Sequence, residues 1–180
     1  MKPLIKLKNL LIKNQLDAFI ISKCDMFFSE EVLPHQERLR YITNFSGSSG
    51  FAVVLSKWNQ KSAIFSDGRY KIQIEQEVDK DDFNFFNGGL LTIIDFIISH
   101  NNKIKKIAVD PNLISIKDFE ILNNNLKNKN LKLIKIKENL VDKVWNNKPK
   151  IPKNNSISRD DNQISSQELF NLKKDITKVD

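Results

Sequence analysis

With 180 residues, 40% of them hydrophobic and 12 of them Phe, the chain carries enough apolar surface for one ordinary domain with some length to spare, and too much for a disordered polymer. The net charge of +7 raises nucleic acid as a partner, but only four of the 29 basic residues are Arg (Arg38, Arg40, Arg69, Arg159) and the Lys are scattered, which fits a solvated Lys-rich surface better. No apolar run approaches the roughly 20 residues that cross a bilayer, and a single Cys24 excludes an internal disulfide, so a soluble, unprocessed, cytoplasmic chain without membrane or nucleic-acid partner is expected.

In chain order, residues 3–14 place Leu4, Leu7, Leu10 and Leu11 at helical spacing with Lys on the other face. Asp17 to Ser22 is a short β-prone apolar run, read as a buried strand. A loop from Asp25 to Glu31 leads to a short helix over Pro34 to Tyr41, opened by Pro. Gly47 to Gly50 is a small-residue turn feeding strand Phe51 to Ser56, and Lys57 to Gln60 connects it as a hairpin to strand Lys61 to Ser66. Asp67-Gly68 ends that strand. Helices follow over Arg69 to Val78, Leu90 to Ser99 and Ile116 to Leu126, alternating with strands Phe83 to Phe86, Lys105 to Asp110 and Leu131 to Ile136. Ser115 with Asp118 caps the last of these helices. The pattern predicts a single α/β domain over residues 1–150, a mixed β-sheet with flanking helices in which one hairpin prevents a purely parallel arrangement. Residues 151–163 read as a linker, and Ser165 with Glu168 opens a further helix over 164–180 that looks like the first element of another domain.

Chemistry-bearing motifs are scarce. Histidine is limited to His35 and His100, and there is no H-x-x-x-H, G-x-S-x-G or paired Cys spacing. Gly47-Ser48-Ser49-Gly50 lacks the Lys and Ser/Thr that a phosphate loop places after its last Gly. Asp67-Gly68-Arg69-Tyr70 is the most specific tetrapeptide. Arg69 has the geometry to hold a carboxylate, but the favoured reading is structural, with Asp67 as N-cap and Arg69 in a local ion pair. His35 is expected at the surface, His100 as a dipole partner at a helix end, Cys24 as an inert buried thiol, and Trp58 and Trp145 as packing anchors.

Three segments then resemble one family in order and spacing: Asp25 to Glu30, Arg38 to Gly50 and Phe65 to Gln73. They are similar to the patterns D-x-H-x-S-E-Y, R-R-x-[WF]-[LIV]-[ST]-G-F-x-G-S-x-G and W-T-D-G-R-Y-x-x-Q of the creatinase-like N-terminal domain of Xaa-Pro aminopeptidases. Glu138 to Trp145 followed by Lys148-Pro149 resembles that domain's N-L-V-D-x-[IV]-W-x-x-R-P ending. The motif His is replaced at Phe27, the Tyr at Glu31, the second Arg at Leu39, the Gly at Asn44 and the Trp at Phe65, a loss of polar and Gly positions that points to relaxed functional constraint.

The resemblance implies a creatinase N-terminal fold and marks Asp25, Glu30, Arg38, Gly47, Ser48, Gly50, Asp67, Gly68, Arg69 and Tyr70 as substrate-access or structural positions, with no catalytic or metal-ligating residue in this chain. It assigns hydrolysis before a penultimate proline to two divalent ions, manganese, held by two Asp, one His and two Glu of a C-terminal pita-bread domain that the chain is expected to lack. The partner it implies is a separate pita-bread polypeptide or a second copy of the chain.

Overall fold

The computed structural model describes residues 1–151; the linker beyond Ile151 and the helix expected over 164–180 lie outside the described residues. Helix α1 (Pro3–Lys13) is followed by strand β1 (Ala18–Ser22), helix α2 (Arg38–Thr43), strands β2 (Phe51–Leu55) and β3 (Ser62–Ser66), and helix α3 (Lys71–Glu77). Strand β4 (Phe83–Asn87), helix α4 (Leu90–Ser99), strand β5 (Lys106–Val109), helix α5 (Ile116–Lys127), strand β6 (Lys132–Lys135) and helix α6 (Leu140–Val144) complete the order.

The sheet order is β4-β3-β2-β1-β5-β6. β2 pairs antiparallel with both β1 and β3, whereas β3–β4, β1–β5 and β5–β6 are parallel. β2 therefore runs alone against the other five. The mixed sheet with flanking helices is thus observed, and the hairpin joins β2 to β3 as its turn residues indicated.

Period-2 alternation divides the core between the two faces of the sheet. Phe19, Ile21, Ala52, Val54 and Ile64 point to one side, where they meet Leu4, Leu7 and Leu11 of α1, Leu39 and Ile42 of α2, and Val141 and Val144 of α6. Ala18, Ile20, Val53, Leu55, Ala63 and Phe65 point to the other, against Ile93, Phe96 and Ile97 of α4 and Leu122 and Leu126 of α5. The result is a helix–sheet–helix sandwich in which β1 to β3 are buried on both faces, and this is why they read as continuous apolar runs.

Several expectations change. The helix expected over Pro34 to Tyr41 is two pieces, a 3-10 turn at Pro34–Gln36 and α2, separated at Glu37 with ψ of 51°. His35, expected at the surface, is buried. Lys8 is buried rather than on a solvent face of α1, and its ammonium donates to the carbonyls of Lys57 (3.3 Å) and Gln60 (2.9 Å), so it caps the β2–β3 hairpin from beneath. Burial pushes that ammonium below its ordinary pKa. Trp145 is an anchor, stacked on Tyr41 at 4.4 Å, but Trp58 at the hairpin tip is exposed. Helix α6, too short for an apolar period to mark, is a five-residue helix capped by Asn139, whose side chain accepts from the Val141 N–H.

Candidate functional site

The topology gathers the unusual residues at one edge of the sheet. Because β2 alone is reversed, the carboxyl ends of β1, β3, β4, β5 and β6 and the amino end of β2 all lie there. The loop after β1 holds Asp25 and Glu30, the segment before β2 holds Gly47 to Gly50, and the turn after β3 holds Asp67 to Tyr70. Chain order reverses between β1 and β5, and in open α/β sheets ligand crevices form outside the carboxyl ends of strands at such a switch point. Two clefts are found there. One, of about 510 Å³, is lined by Met26, Gln36, Arg38, Asp110, Glu138 and Asp142 among others. The second, of about 200 Å³, is bordered by Cys24, Phe28, Phe51, Leu90 and Leu113.

Asp25, Arg38, Ser48, Asp67, Arg69 and Tyr70 each spend side-chain polar groups on a neighbour. Asp25 is buried, and one of its carboxylate oxygens accepts from the backbone N–H groups of Phe27 (2.9 Å) and Ser29 (3.0 Å), folding the loop around itself. The Ser29 backbone bond leads the interactions that hold its carboxyl below the usual range. Glu30 is exposed. Phe27, standing where the family pattern has His, is 78% exposed.

Arg38 is held twice over. Its Nε and Nη2 donate to the two carboxylate oxygens of Asp142 at 2.9 and 2.8 Å, and Nη1 donates to Gln36 Oε1. Lys148 reaches the same carboxylate at 2.9 Å. Burial alone would push the Asp142 carboxyl up, but the bonds from Arg38 and Lys148 outweigh it and leave the group below its ordinary value. This pair ties the start of α2 to α6, joining segments 104 residues apart. Below it, Asn139 donates to Asp110 Oδ2 at 2.8 Å and fixes the end of β5 to the start of α6.

Asp67 and Arg69 make a second bidentate pair, Nε to Oδ1 and Nη2 to Oδ2, both 2.9 Å, while the Arg69 N–H donates to Asp67 Oδ1 at 3.0 Å. This is the cap-and-local-pair arrangement favoured on sequence, and it is open to water. Tyr70 stands edge-on to buried Phe45 at 5.6 Å and shares a 2.7 Å hydrogen bond with Ser48. Gly47 and Gly50 are required by proximity: a Cβ on Gly47 would lie 2.2 Å from the Phe45 ring, and one on Gly50 3.0 Å from the Phe65 carbonyl. Gly68 meets no such obstacle.

Glu77, Gln73, Gln36 and Asp142 carry no role in the sequence pattern, although Gln73 and Asp142 stand within two of the resembling segments. Glu77 accepts from the Ser46 N–H and Oγ–H, both 2.7 Å, and Gln73 donates to both Ser46 Oγ and Glu77. These bonds tether the Phe45 to Gly50 segment to α3. Cys24, expected to be buried and inert, is half-buried; its Sγ–H donates to the Leu113 carbonyl at 3.1 Å and burial raises its pKa. Among the described residues no group of three or more His, Cys, Asp or Glu side chains is arranged to hold a metal ion.

A three-layer α/β domain with a reversed β2 and motif loops gathered on one edge is the class that the fold defines, and comparison with known proteins supplies its family. The Creatinase/Prolidase N-terminal domain model matches residues 4–144, so the chain belongs to that family. It is 32% identical over 161 residues to a probable Xaa-Pro aminopeptidase P of Laccaria bicolor, with 87% of this chain and 24% of that protein covered. It is 34% identical over 138 residues to human Xaa-Pro aminopeptidase 2, with 76% and 20% covered. The chain therefore spans about a quarter of the length of these relatives. In fold, it resembles the X-prolyl aminopeptidase of Caenorhabditis elegans, described as a cytosolic enzyme with a di-nuclear active site (24% identity, TM-score 0.75, 83% of this chain and 26% of that one). It also resembles the N-terminal domain of the cytoplasmic peptidase PepQ of Mycobacterium tuberculosis (21% identity, TM-score 0.62, 79% and 97% covered). Among the described residues no helix is long and apolar enough to cross a membrane.

Proposed function

We propose that this domain serves a cytoplasmic Xaa-Pro aminopeptidase-type metallopeptidase as its non-catalytic N-terminal part, shaping access to a catalytic site built elsewhere and contributing to assembly. The observation that carries this reading is the closure of the motif residues upon one another. Arg38 is consumed by Asp142 and Gln36, Arg69 by Asp67, and Asp25 by its own loop, so the carboxyl edge is a braced wall rather than a set of convergent reactive groups. The two divalent ions, manganese, and the hydrolytic step belong in this account to a pita-bread domain. The test is hydrolysis of an Xaa-Pro peptide by the purified chain with added manganese. No turnover is expected; turnover by the chain alone would overturn the reading.

A second reading makes the chain a module that completes a split enzyme in trans. It is favoured by Met26, Phe27, Phe28 and Leu33, four large apolar side chains exposed along the loop after β1 at that same edge. Adding a separately produced pita-bread polypeptide to the assay decides it: activity only in the mixture supports the module, and silence in the mixture sinks it. Nucleic-acid binding gains no support, because Arg38 and Arg69 are committed to carboxylates.

A further inference from the structure

The two edges of the sheet are built differently. β6 carries Lys132 and Lys135, with Lys137 just beyond, the charged guard that keeps an edge from pairing. β4 reads Phe83-Asn84-Phe85-Phe86-Asn87, three β-favouring Phe and two uncharged Asn, without charge or Pro. The register with β3, together with the flanking bonds from Ser62 N–H to the Asp82 carbonyl and from Gly88 N–H to the Ser66 carbonyl, assigns the backbone groups of Asn84 and Phe86 to β3. The N–H and C=O of Phe85 and Asn87 and the C=O of Phe83 therefore face outward.

We infer that the β4 edge is a self-association surface, on which a second copy of this chain adds its own β4 antiparallel about a two-fold axis through Phe85. The strand is self-complementary in that arrangement. Phe85 exchanges both backbone bonds with Phe85 of the second copy, and each Asn87 N–H donates to the opposite Phe83 carbonyl. A two-fold axis makes the patch isologous, so one surface serves both partners. Charge permits it as well. Asp82 and Asp81 come to lie beside Gly88 and Gly89 of the other copy, with no like charge opposite, and Lys2 already pairs with Asp79 (2.7 Å) and Asp82 (3.3 Å). On the side of the sheet facing α1, the half-buried Phe85 rings become cross-strand neighbours. This inference stands independently of whether the chain has catalytic activity.

The experiment is sedimentation velocity of the full chain from low to several hundred micromolar, paired with hydrogen exchange at both ends of that range. A monomer–dimer equilibrium is expected, with the Phe85 and Asn87 amides protected at high concentration and exchanging freely on dilution. Phe85→Pro removes an outward N–H without touching the β3 ladder and should weaken association at least tenfold, while Lys135→Pro, the matched change on the guarded edge, should leave it unaltered. If far-UV circular dichroism shows Phe85→Pro unfolded, Asn87→Pro, at an exposed position, decides. A chain that stays monomeric throughout overturns the inference, as does a dimer that survives both edge variants. Amide protection that persists on dilution also overturns it, since a segment of the same chain would then cover the edge.

Discussion

Two bidentate carboxylate–guanidinium pairs stand on the same edge of this sheet, and their hydrogen-bond geometry is nearly the same. Arg38–Asp142 spans 104 residues with side chains only 9% and 29% exposed; Asp67–Arg69 spans two residues with side chains 43% and 80% exposed. Water screens the second pair and the chain would hold its members close in any case, so little of the fold depends on it. The first has left most of its water behind, and each partner is indispensable to the other. Identical chemistry thus braces the domain at one place and shapes a surface turn at the other, and burial, not bond length, decides which.

The largest expected effect comes from breaking the buried pair one-sidedly. Asp142→Ala leaves the Arg38 guanidinium buried against Gln36 alone and should cost about 3 to 5 kcal/mol in urea unfolding. A loss no greater than that of a surface substitution would remove the distinction between the two pairs. Next, Gly47→Ala drives a methyl group into the Phe45 ring, which is fully buried and has nowhere to go, so a loss of about 1 to 3 kcal/mol is expected in the same measurement.

Acidification sharpens the contrast further. Asp142 and Glu77 both have folded pKa values below their ordinary ones: burial raises each, and the bonds from Arg38 and Lys148, or from Ser46 and Gln73, outweigh it. A depressed folded pKa means stability that is present above the unfolded carboxylate range near about pH 4 and is lost as pH falls through the folded value. Tm should therefore drop from about pH 5 downward, and it should drop less steeply in Asp142→Asn. The smallest effect is expected from Arg69→Ala, whose Tm should match that of the parent.

Much of this architecture was legible in the sequence because it follows from local periodicity. Helix α4 begins and ends where the apolar spacing places it, and Ser115 caps α5 by accepting from the Asp118 N–H at 3.0 Å. What escaped was non-local. Nothing in the pattern around Lys8 says that a hairpin lies above it with two carbonyls turned toward its ammonium, nor that a chain turn at Glu37 tucks His35 inside. Asp142 sat in a recognised motif, yet no spacing rule connects it to Arg38. The departures from the family pattern also acquire physical meaning. Asn44, at the family's Gly position, has φ of 66° at the end of α2, a left-handed cap that Asn tolerates better than most residues. Leu39 and Phe65, at its Arg and Trp positions, are fully buried apolar side chains. Three of the replaced positions therefore keep a structural use, whereas Phe27 and Glu31 face solvent.

The most direct test is a pair of double-mutant cycles, Arg38→Ala with Asp142→Ala and Arg69→Ala with Asp67→Ala, each read by chemical denaturation. The account expects strong coupling for the first pair, with the double variant far less destabilised than the two single losses added together, and no measurable coupling for the second. Equal coupling in the two cycles would contradict it.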